Sequence, residues 1–362
     1  MEVDRPLIVA PCRFDWVPVT IPDNVEPGKV RIRTLVSLIS PGTELRLYRG
    51  EPMVEEVWDS FADIDAATTE GMGVIPEYRI TGRNQPSGAK YPVNCGYNLV
   101  GEVVEVGEGV RSLAEGDRVF ALARHQPIFD AREWQAVKVP DGVPTEVGPF
   151  AYLPTLGLHA LRRGGFIPGL NVAVIGLGLI GFGAALVADA IGAYLTCLEI
   201  SPDRRRRAAA ALPKALVLDP TEDGFEDALM ERFQPFGIDV VVEAAVGPAP
   251  LDLGMRILDD QGRMVAIALH PEDVGPLLSA DFYNKQASIL GTSNAPYEDP
   301  SRRLTRFTCA ANIEFLLELH SKGRLPLEAM HTDTYPAAEI DAAYADLDAA
   351  ERDMIGVLLD WR

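Results

Sequence analysis

The feature that most constrains this chain is the run Asn171 to Ile175 (NVAVI), which leads directly into Gly176-Leu177-Gly178-Leu179-Ile180-Gly181. A short β-branched run suits a parallel strand buried on both faces, and G-x-G-x-x-G stands where such a strand turns into a helix. Each glycine answers a steric demand. The first permits the tight turn, the second lets backbone approach a pyrophosphate, and the third lets the helix lie close on the strand. The helix is expected to run through Ala184 to Ile191 and stop near Gly192. A second strand, Tyr194 to Leu198, ends at Glu199, 23 residues after Gly176. A carboxylate at that tip accepts both ribose hydroxyls of an adenosine, so the segment reads as a dinucleotide site. NAD is favoured over NADP because Glu199 would repel a 2′-phosphate. The run Arg204 to Arg207 is the counter-signal, read as a solvated helix face after the Ser201-Pro202 start in preference to a phosphate clamp.

Further strand-and-helix units follow, as a doubly wound sheet requires: Ile238 to Val242 before Glu243-Ala-Ala, Gly262 to Leu269, and Ala287 to Gly291. The first 150 residues differ in texture. Apolar runs alternate with charged residues and turns over Lys29 to Leu38, Leu99 to Val106, Asp117 to Ala123 and Trp134 to Val139, which reads as an antiparallel barrel-like domain. A last segment with two helices and a strand, Met354 to Asp360, is expected to return to the first domain. The division is therefore 1–151 with 296–362, and 152–295.

From Gly164 to Ala188 there are 25 residues without a charge, enough by length to span a bilayer. Seven of them are glycine, so the run reads as turn, buried strand, turn and helix. No membrane span is expected. A net charge of −20 argues against a nucleic-acid partner, since such proteins concentrate Lys and Arg on one face. Four separated cysteines, Cys12, Cys95, Cys197 and Cys309, form no C-x-x-C pair, which removes a cysteine-cluster zinc and makes a disulfide framework implausible. The N-terminal stretch shows no basic segment followed by an apolar one, so a cytoplasmic location is expected.

Three stretches carry a resemblance to a known family: Gly42-Thr43-Glu44, Gly101-Glu-Val-Val-Glu-Val-Gly-Glu-Gly-Val110, and Leu156-Gly-Leu-His-Ala-Leu161 before the glycine turn. With the domain order, they resemble the medium-chain dehydrogenase/reductase superfamily, whose best-known members are zinc alcohol dehydrogenases. The resemblance implies an α/β chain: a GroES-like β-rich catalytic domain plus a Rossmann doubly wound parallel-sheet domain, with the active site in the cleft between them. It further implies Thr155 facing the nicotinamide, Arg204 over the adenosine, Ala244 and Leu269 at the nicotinamide ribose, and a homodimer.

The departures from that family concern the metal. Ser40 stands where the first zinc cysteine belongs, Gly96-Tyr97-Asn98 replaces G-H-E, and the third ligand falls near Ala151 or Tyr152. Catalytic zinc needs three ligands from Cys, His and carboxylate plus an open position, so no zinc is expected. The set Ile39-Ser40-Pro41-Gly42-Thr43-Glu44, Tyr91-Pro92 with Gly96-Tyr97, and Gly116-Asp-Arg-Val-Phe120 with His125-Gln126 is similar to the zinc-free bacteriochlorophyllide a dehydrogenase-like branch. The segment from Glu51 to Asn94 is long for the family and reads equally as a substrate wall or a solvated insertion.

Without a metal, a substrate oxygen must be held by hydrogen bonds while a base takes its proton and hydride leaves for the nicotinamide. Thr43 is the expected relay hydroxyl. Tyr97 is either a donor to the substrate oxygen or an aromatic filler of the vacated space. His125, on a loop where a pocket wall is expected, is either the base or a structural histidine. Ser40 completes the set, with Glu44 bracing the loop. The expected activity is NAD(H)-linked interconversion of a secondary alcohol and a ketone in a small molecule: a sugar, cyclitol, tetrapyrrole or other natural-product intermediate. An NADPH-dependent enoyl or quinone reductase and a non-catalytic nucleotide-binding scaffold are the alternatives.

Overall fold

The computed structural model describes residues 1–54, 86–87, 89–233, 235–268, 270, 279–292, 295 and 306–362. The chain divides into two compact units. The first comprises Met1–Ala151, Pro296–Ser321 and His331–Arg362, and the second Tyr152–Ala295 and Lys322–Met330. Residues 322–330, expected with the first unit, belong to the second. There Arg207 donates to the Ala329 carbonyl at 3.3 Å and Arg324 to the Ala190 carbonyl at 2.9 Å.

The first unit opens with an antiparallel hairpin, β1 (Glu2–Ala10) and β2 (Arg13–Thr20), that the sequence reading missed. It continues through β3 (Lys29–Ile39), α1 (Pro41–Arg49), the short pair β4 (Met53–Val54) and β5 (Pro86–Ser87), β6 (Leu99–Val106), β7 (Arg118–Ala121), β8 (Ile128–Arg132) and β9 (Ala136–Lys138). Strands β3 and β6 pair antiparallel and bury Val30, Ile32, Leu99 and Val103 in one core with Val119 and Phe129. Arg31, almost wholly buried on β3, reaches Glu105 of β6 and Asp130 of β8 at 3.1 and 2.8 Å. That cation is matched by two carboxylates, as burial of a charge demands.

The second unit carries α2 (Pro154–Arg163), β10 (Asn171–Ile175), α3 (Leu179–Ala190), β11 (Tyr194–Leu198), α4 (Pro202–Ala211), β12 (Leu216–Leu218), α5 (Phe225–Phe233), β13 (Ile238–Glu243), α6 (Pro248–Ile257), β14 (Leu258–Ala266), α7 (Ala280–Asn284) and β15 (Ser288–Gly291). All neighbours are parallel, in the order β12-β11-β10-β13-β14-β15. The order reverses at β10, which places the crevice for a ligand at the carboxyl end of that strand. Helices α1, α2, α4 and α6 each begin at a proline, whose missing N–H costs nothing in a first turn.

The uncharged run from Gly164 is a turn, β10 and the twelve-residue α3, and no helix among the described residues is long and apolar enough to cross a membrane. The chain then returns to the first unit through α8 (Cys309–Ser321), β16 (Asp333–Pro336), α9 (Ile340–Ala349) and β17 (Val357–Asp360), the last pairing antiparallel with β3.

Candidate functional site

Two constellations stand out, one in each unit. In the second, β10 ends at Ile175 and the chain turns at Gly176 with φ +86°, a value glycine adopts without strain. Gly178 caps α3, whose first residues are Leu179 and Ile180. At Gly181 an added Cβ would stand 1.9 Å from the Gly176 carbonyl oxygen and 3.0 Å from the Ala244 Cβ. The turn therefore requires glycine at positions 176 and 181, and it suits a pyrophosphate lying against backbone. Glu199 is fastened beneath it: one carboxylate oxygen accepts from Leu177 N at 2.6 Å, the other from Ser201 N at 2.8 Å. Directly after it, Ile200 is 66% exposed, an apolar face at the rim that the sequence reading did not single out.

Arg204 lies over the turn, its Nη1 3.8 Å from where a Gly178 Cβ would be. The rest of the arginine run is engaged. Arg205 binds Asp219 and the Glu199 and Ile200 carbonyls, Arg206 pairs with Asp203, and Arg207 holds Ala329. Thr155 is buried, its hydroxyl donating to the Tyr152 carbonyl at 2.6 Å. Ala244 borders Gly181, while Leu269 lies outside the described residues.

A second pair in this unit went unread in the sequence. Glu243, the last residue of β13 and fully buried, accepts from Ala245 N at 2.7 Å and faces His270 Nε2 at 3.0 Å. Burial raises the Glu243 carboxyl above its ordinary range, against the hydrogen bonds from His270 and Ala245. The only signal in sequence was an acid closing one strand and a histidine just beyond the next.

In the first unit, Ser40 to Glu44 are not a loop, as expected, but the start of α1 with Pro41 in its first turn. This brings Glu44 to a fully buried hub. Its Oε1 accepts from Ser40 N at 2.7 Å; its Oε2 accepts from Gly96 N at 2.8 Å, from the Tyr344 hydroxyl, and from His125 Nε2 at 3.1 Å. The Ser37 hydroxyl, 2.8 Å from His125 Nδ1, itself accepts from Trp361 Nε1 at 2.9 Å. With Glu44 as an acceptor, the chain runs Trp361 to Ser37 to His125 to Glu44, which fixes the imidazole tautomer. The structure thus places His125 in the core rather than on a pocket wall: none of its side chain is exposed and both ring nitrogens are engaged.

Beside the hub, the Tyr97 hydroxyl donates to Ser40 Oγ, and the Thr43 hydroxyl also bonds the phenol. Burial first, then the Glu44 charge, hold the Tyr97 proton far above the ordinary phenol range. Ser40, Thr43, Glu44, Tyr97 and His125 are thus one connected network, as a reading of separate loops could not show. Cys95, Tyr344, Ser37 and Trp361 were missed because they join it only through folding.

Glu44, Cys95 and His125 offer an O, S and N donor within 4.8 Å of one another, the donor types of zinc. They do not fit a catalytic ion. All three are buried, Glu44 Oε2 already takes three hydrogen bonds, and burial with the Glu44 charge pushes the Cys95 thiol well up, so no open coordination position faces a substrate. Ser40 and Tyr97, expected from the resemblance at the first two ligand positions, hydrogen bond to each other.

Comparison with known proteins agrees with this architecture. The zinc-binding dehydrogenase family matches residues 180–307 and the alcohol dehydrogenase GroES-like domain matches residues 63–143. L-galactonate-5-dehydrogenase of Escherichia coli is 25% identical over 307 residues, 76% of this chain and 83% of that protein. (R,R)-butanediol dehydrogenase of Bacillus subtilis is 26% identical over 286 residues, 69% of this chain and 75% of that protein. The solved alcohol dehydrogenase from Thermus sp. ATN1 covers 99% of both chains with a TM-score of 0.75 and 21% identity, a likeness of fold. A GroES-like β-rich unit joined to a Rossmann-type parallel sheet with a glycine turn defines a two-unit oxidoreductase. The chain is thus similar to the alcohol dehydrogenase-like, zinc-binding dehydrogenases in both of its units.

Proposed function

We propose that the protein is a zinc-independent dehydrogenase that transfers hydride between NAD(H) and a secondary alcohol or ketone. The observation carrying this reading is the connected hydroxyl set Ser40, Thr43 and Tyr97, where the family's chemistry calls for metal ligands. Bound NAD supplies the hydride acceptor, and the glycine cradle of Gly176, Gly178 and Gly181 with Glu199 would hold it. Glu199 favours NAD over NADP, and the engagement of Arg205, Arg206 and Arg207 leaves that preference standing. Arg204 and Ile200 would flank the adenosine, with Thr155, Ala244 and Leu269 on the nicotinamide side.

Tyr97 keeps its proton, so once turned from Ser40 Oγ it would act as a hydrogen-bond donor to a carbonyl oxygen and not as a base. Glu44 and His125 are positioning residues that fix the Ser40 and Gly96 backbones on either side of that phenol. The similarity to the zinc-free bacteriochlorophyllide a dehydrogenase-like branch supports the metal-free reading. The named relatives above support polyols and sugar acids as substrates to screen. A homodimer and a cytoplasmic location complete the proposal, the dimer checked by light scattering.

The test is a titration of chelator-treated protein with NADH and NADPH, followed by nicotinamide fluorescence, with metal content assayed on the same sample. NADH binding and alcohol oxidation at full rate in metal-free protein are expected. Activity that falls with loss of one equivalent of zinc would overturn the metal-free reading, and a preference for NADPH would shift weight to the enoyl reductase. Replacing Tyr97 by phenylalanine is expected to leave NADH affinity unchanged and lower turnover on whichever alcohol the screen yields by about 100-fold, the scale of a lost proton donor. Unchanged turnover would remove Tyr97 from the site.

A further inference from the structure

We propose that His270, backed by Glu243, is the group that holds the reaction's proton in the second unit. The inference rests on the dehydrogenase reading above. Strand register puts the pair beside the cradle: Glu243 lies opposite Ile175, the residue before Gly176, and opposite Ala266 of β14. The loop from Glu243 to Gly247 ties the two together. Ala244 N donates to the Ile175 carbonyl at 2.9 Å, and an added Cβ on Gly176 would meet the Ala245 Cβ at 2.8 Å. His270 therefore stands at the carboxyl ends of the strands, where an open parallel sheet takes its ligand.

The ring is built for proton exchange. Its Nδ1 accepts from Gly247 N at 3.3 Å, a long contact, so Nε2 carries the proton donated to Glu243 at 3.0 Å. The side chain is 12% exposed, whereas Glu243 beneath it is fully buried. Among the described residues, Glu243 makes no other ion pair, and it is the only charged group paired with His270. A buried carboxylate with one imidazole partner stabilises imidazolium and fixes the ring's orientation, as in other acid–base pairs of histidine and carboxylate. His125, the other imidazole paired with a buried carboxylate, is sealed in the core.

In the oxidation direction the alcohol C–H bond breaks and its electron pair passes with the hydrogen to the nicotinamide. The O–H bond breaks and its proton passes to His270 Nδ1, replacing the weak Gly247 contact. The C=O bond forms, and imidazolium is left against Glu243. Reduction runs the same transfers backwards.

This assignment makes cofactor binding proton-linked. Neutral dihydronicotinamide tolerates imidazolium beside it, whereas cationic nicotinamide repels it, and Glu243 is the only ionisable partner the ring has among the described residues. NAD+ affinity is therefore expected to strengthen, by up to about tenfold per pH unit, as pH rises between 6 and 8. NADH affinity should stay flat over the same range, because a ligand that tolerates both forms of the ring favours neither.

The experiment is NADH and NAD+ titration of the full-length wild-type protein between pH 6 and 8, repeated with His270→Gln, which preserves a donor to Glu243 but cannot titrate. The wild type should show the rising NAD+ slope and His270→Gln a flat NAD+ profile at unchanged thermal stability. An NAD+ affinity that is pH-independent in the wild type, or a slope that survives in His270→Gln, would overturn the assignment while leaving the dehydrogenase reading intact. Failure to bind NADH at any pH would overturn both.

Discussion

Replacing Glu44 by alanine is expected to destabilise the first unit by about 3–5 kcal/mol, the scale seen when one partner of a buried charged network is removed. The reason is the number of donors it satisfies: Ser40 N, Gly96 N, His125 Nε2 and the Tyr344 hydroxyl all point at its buried carboxylate. Each donor left alone would carry a desolvation penalty of about 1–3 kcal/mol, partly relieved by relaxation. Glutamine is not a harmless substitute. One carboxylate oxygen takes one donor and the other takes three, so either orientation of the amide turns its NH2 toward a donor.

Trp16, Trp134 and Trp361 belong to the first unit, Trp58 lies outside the described residues, and residues 152–295 and 322–330 contain no tryptophan. Urea unfolding followed by tryptophan fluorescence therefore reports this unit selectively. Both variants should lower the midpoint, alanine more than glutamine, with NADH affinity unchanged because the cradle lies in the other unit. A shift below 1 kcal/mol for both would show that the hub is dispensable.

The second large effect is expected at Gly181. Alanine there places a methyl 1.9 Å from the Gly176 carbonyl oxygen, and backbone cannot yield as a flexible side chain can. The turn must open, which moves Gly176, Gly178 and the start of α3 together. NADH affinity should fall at least about 100-fold, some 2.7 kcal/mol. Gly178→Ala separates the two demands on the turn. Its new methyl would meet only Arg204 Nη1, at an ordinary 3.8 Å, so the fold should tolerate it and any loss of affinity would report the approach of the pyrophosphate. If Gly181→Ala binds NADH like the wild type, the turn is not the nucleotide cradle.

Local chemistry explains what could be read in advance. The strand NVAVI, the glycine turn and Glu199 lie within one strand–helix–strand unit, and contacts confined to about thirty residues follow from pattern alone. Pro202 marked the start of α4, yet the same signal at Pro41 was passed over because a family loop was expected there. The hairpin of β1 and β2 was missed for a different reason. Its second strand, Arg13–Thr20, buries little beyond Phe14, so its sequence lacks a strong alternation of apolar and polar residues.

The sequence by itself determined the parallel sheet and the glycine cradle with its acid, and it raised the expectation that Ser40 and Tyr97 stand where the resembled family carries metal ligands. Those features depend on residue identity and short spacing. Only the tertiary structure decided that Glu44 gathers Ser40, Gly96, His125 and Tyr344 into one buried network, with partners up to 300 positions apart in the chain. It also decided that His125 is enclosed while His270 keeps an exposed edge over Glu243. A histidine's surroundings set what its proton can do, and those surroundings come from strands and loops distant in sequence.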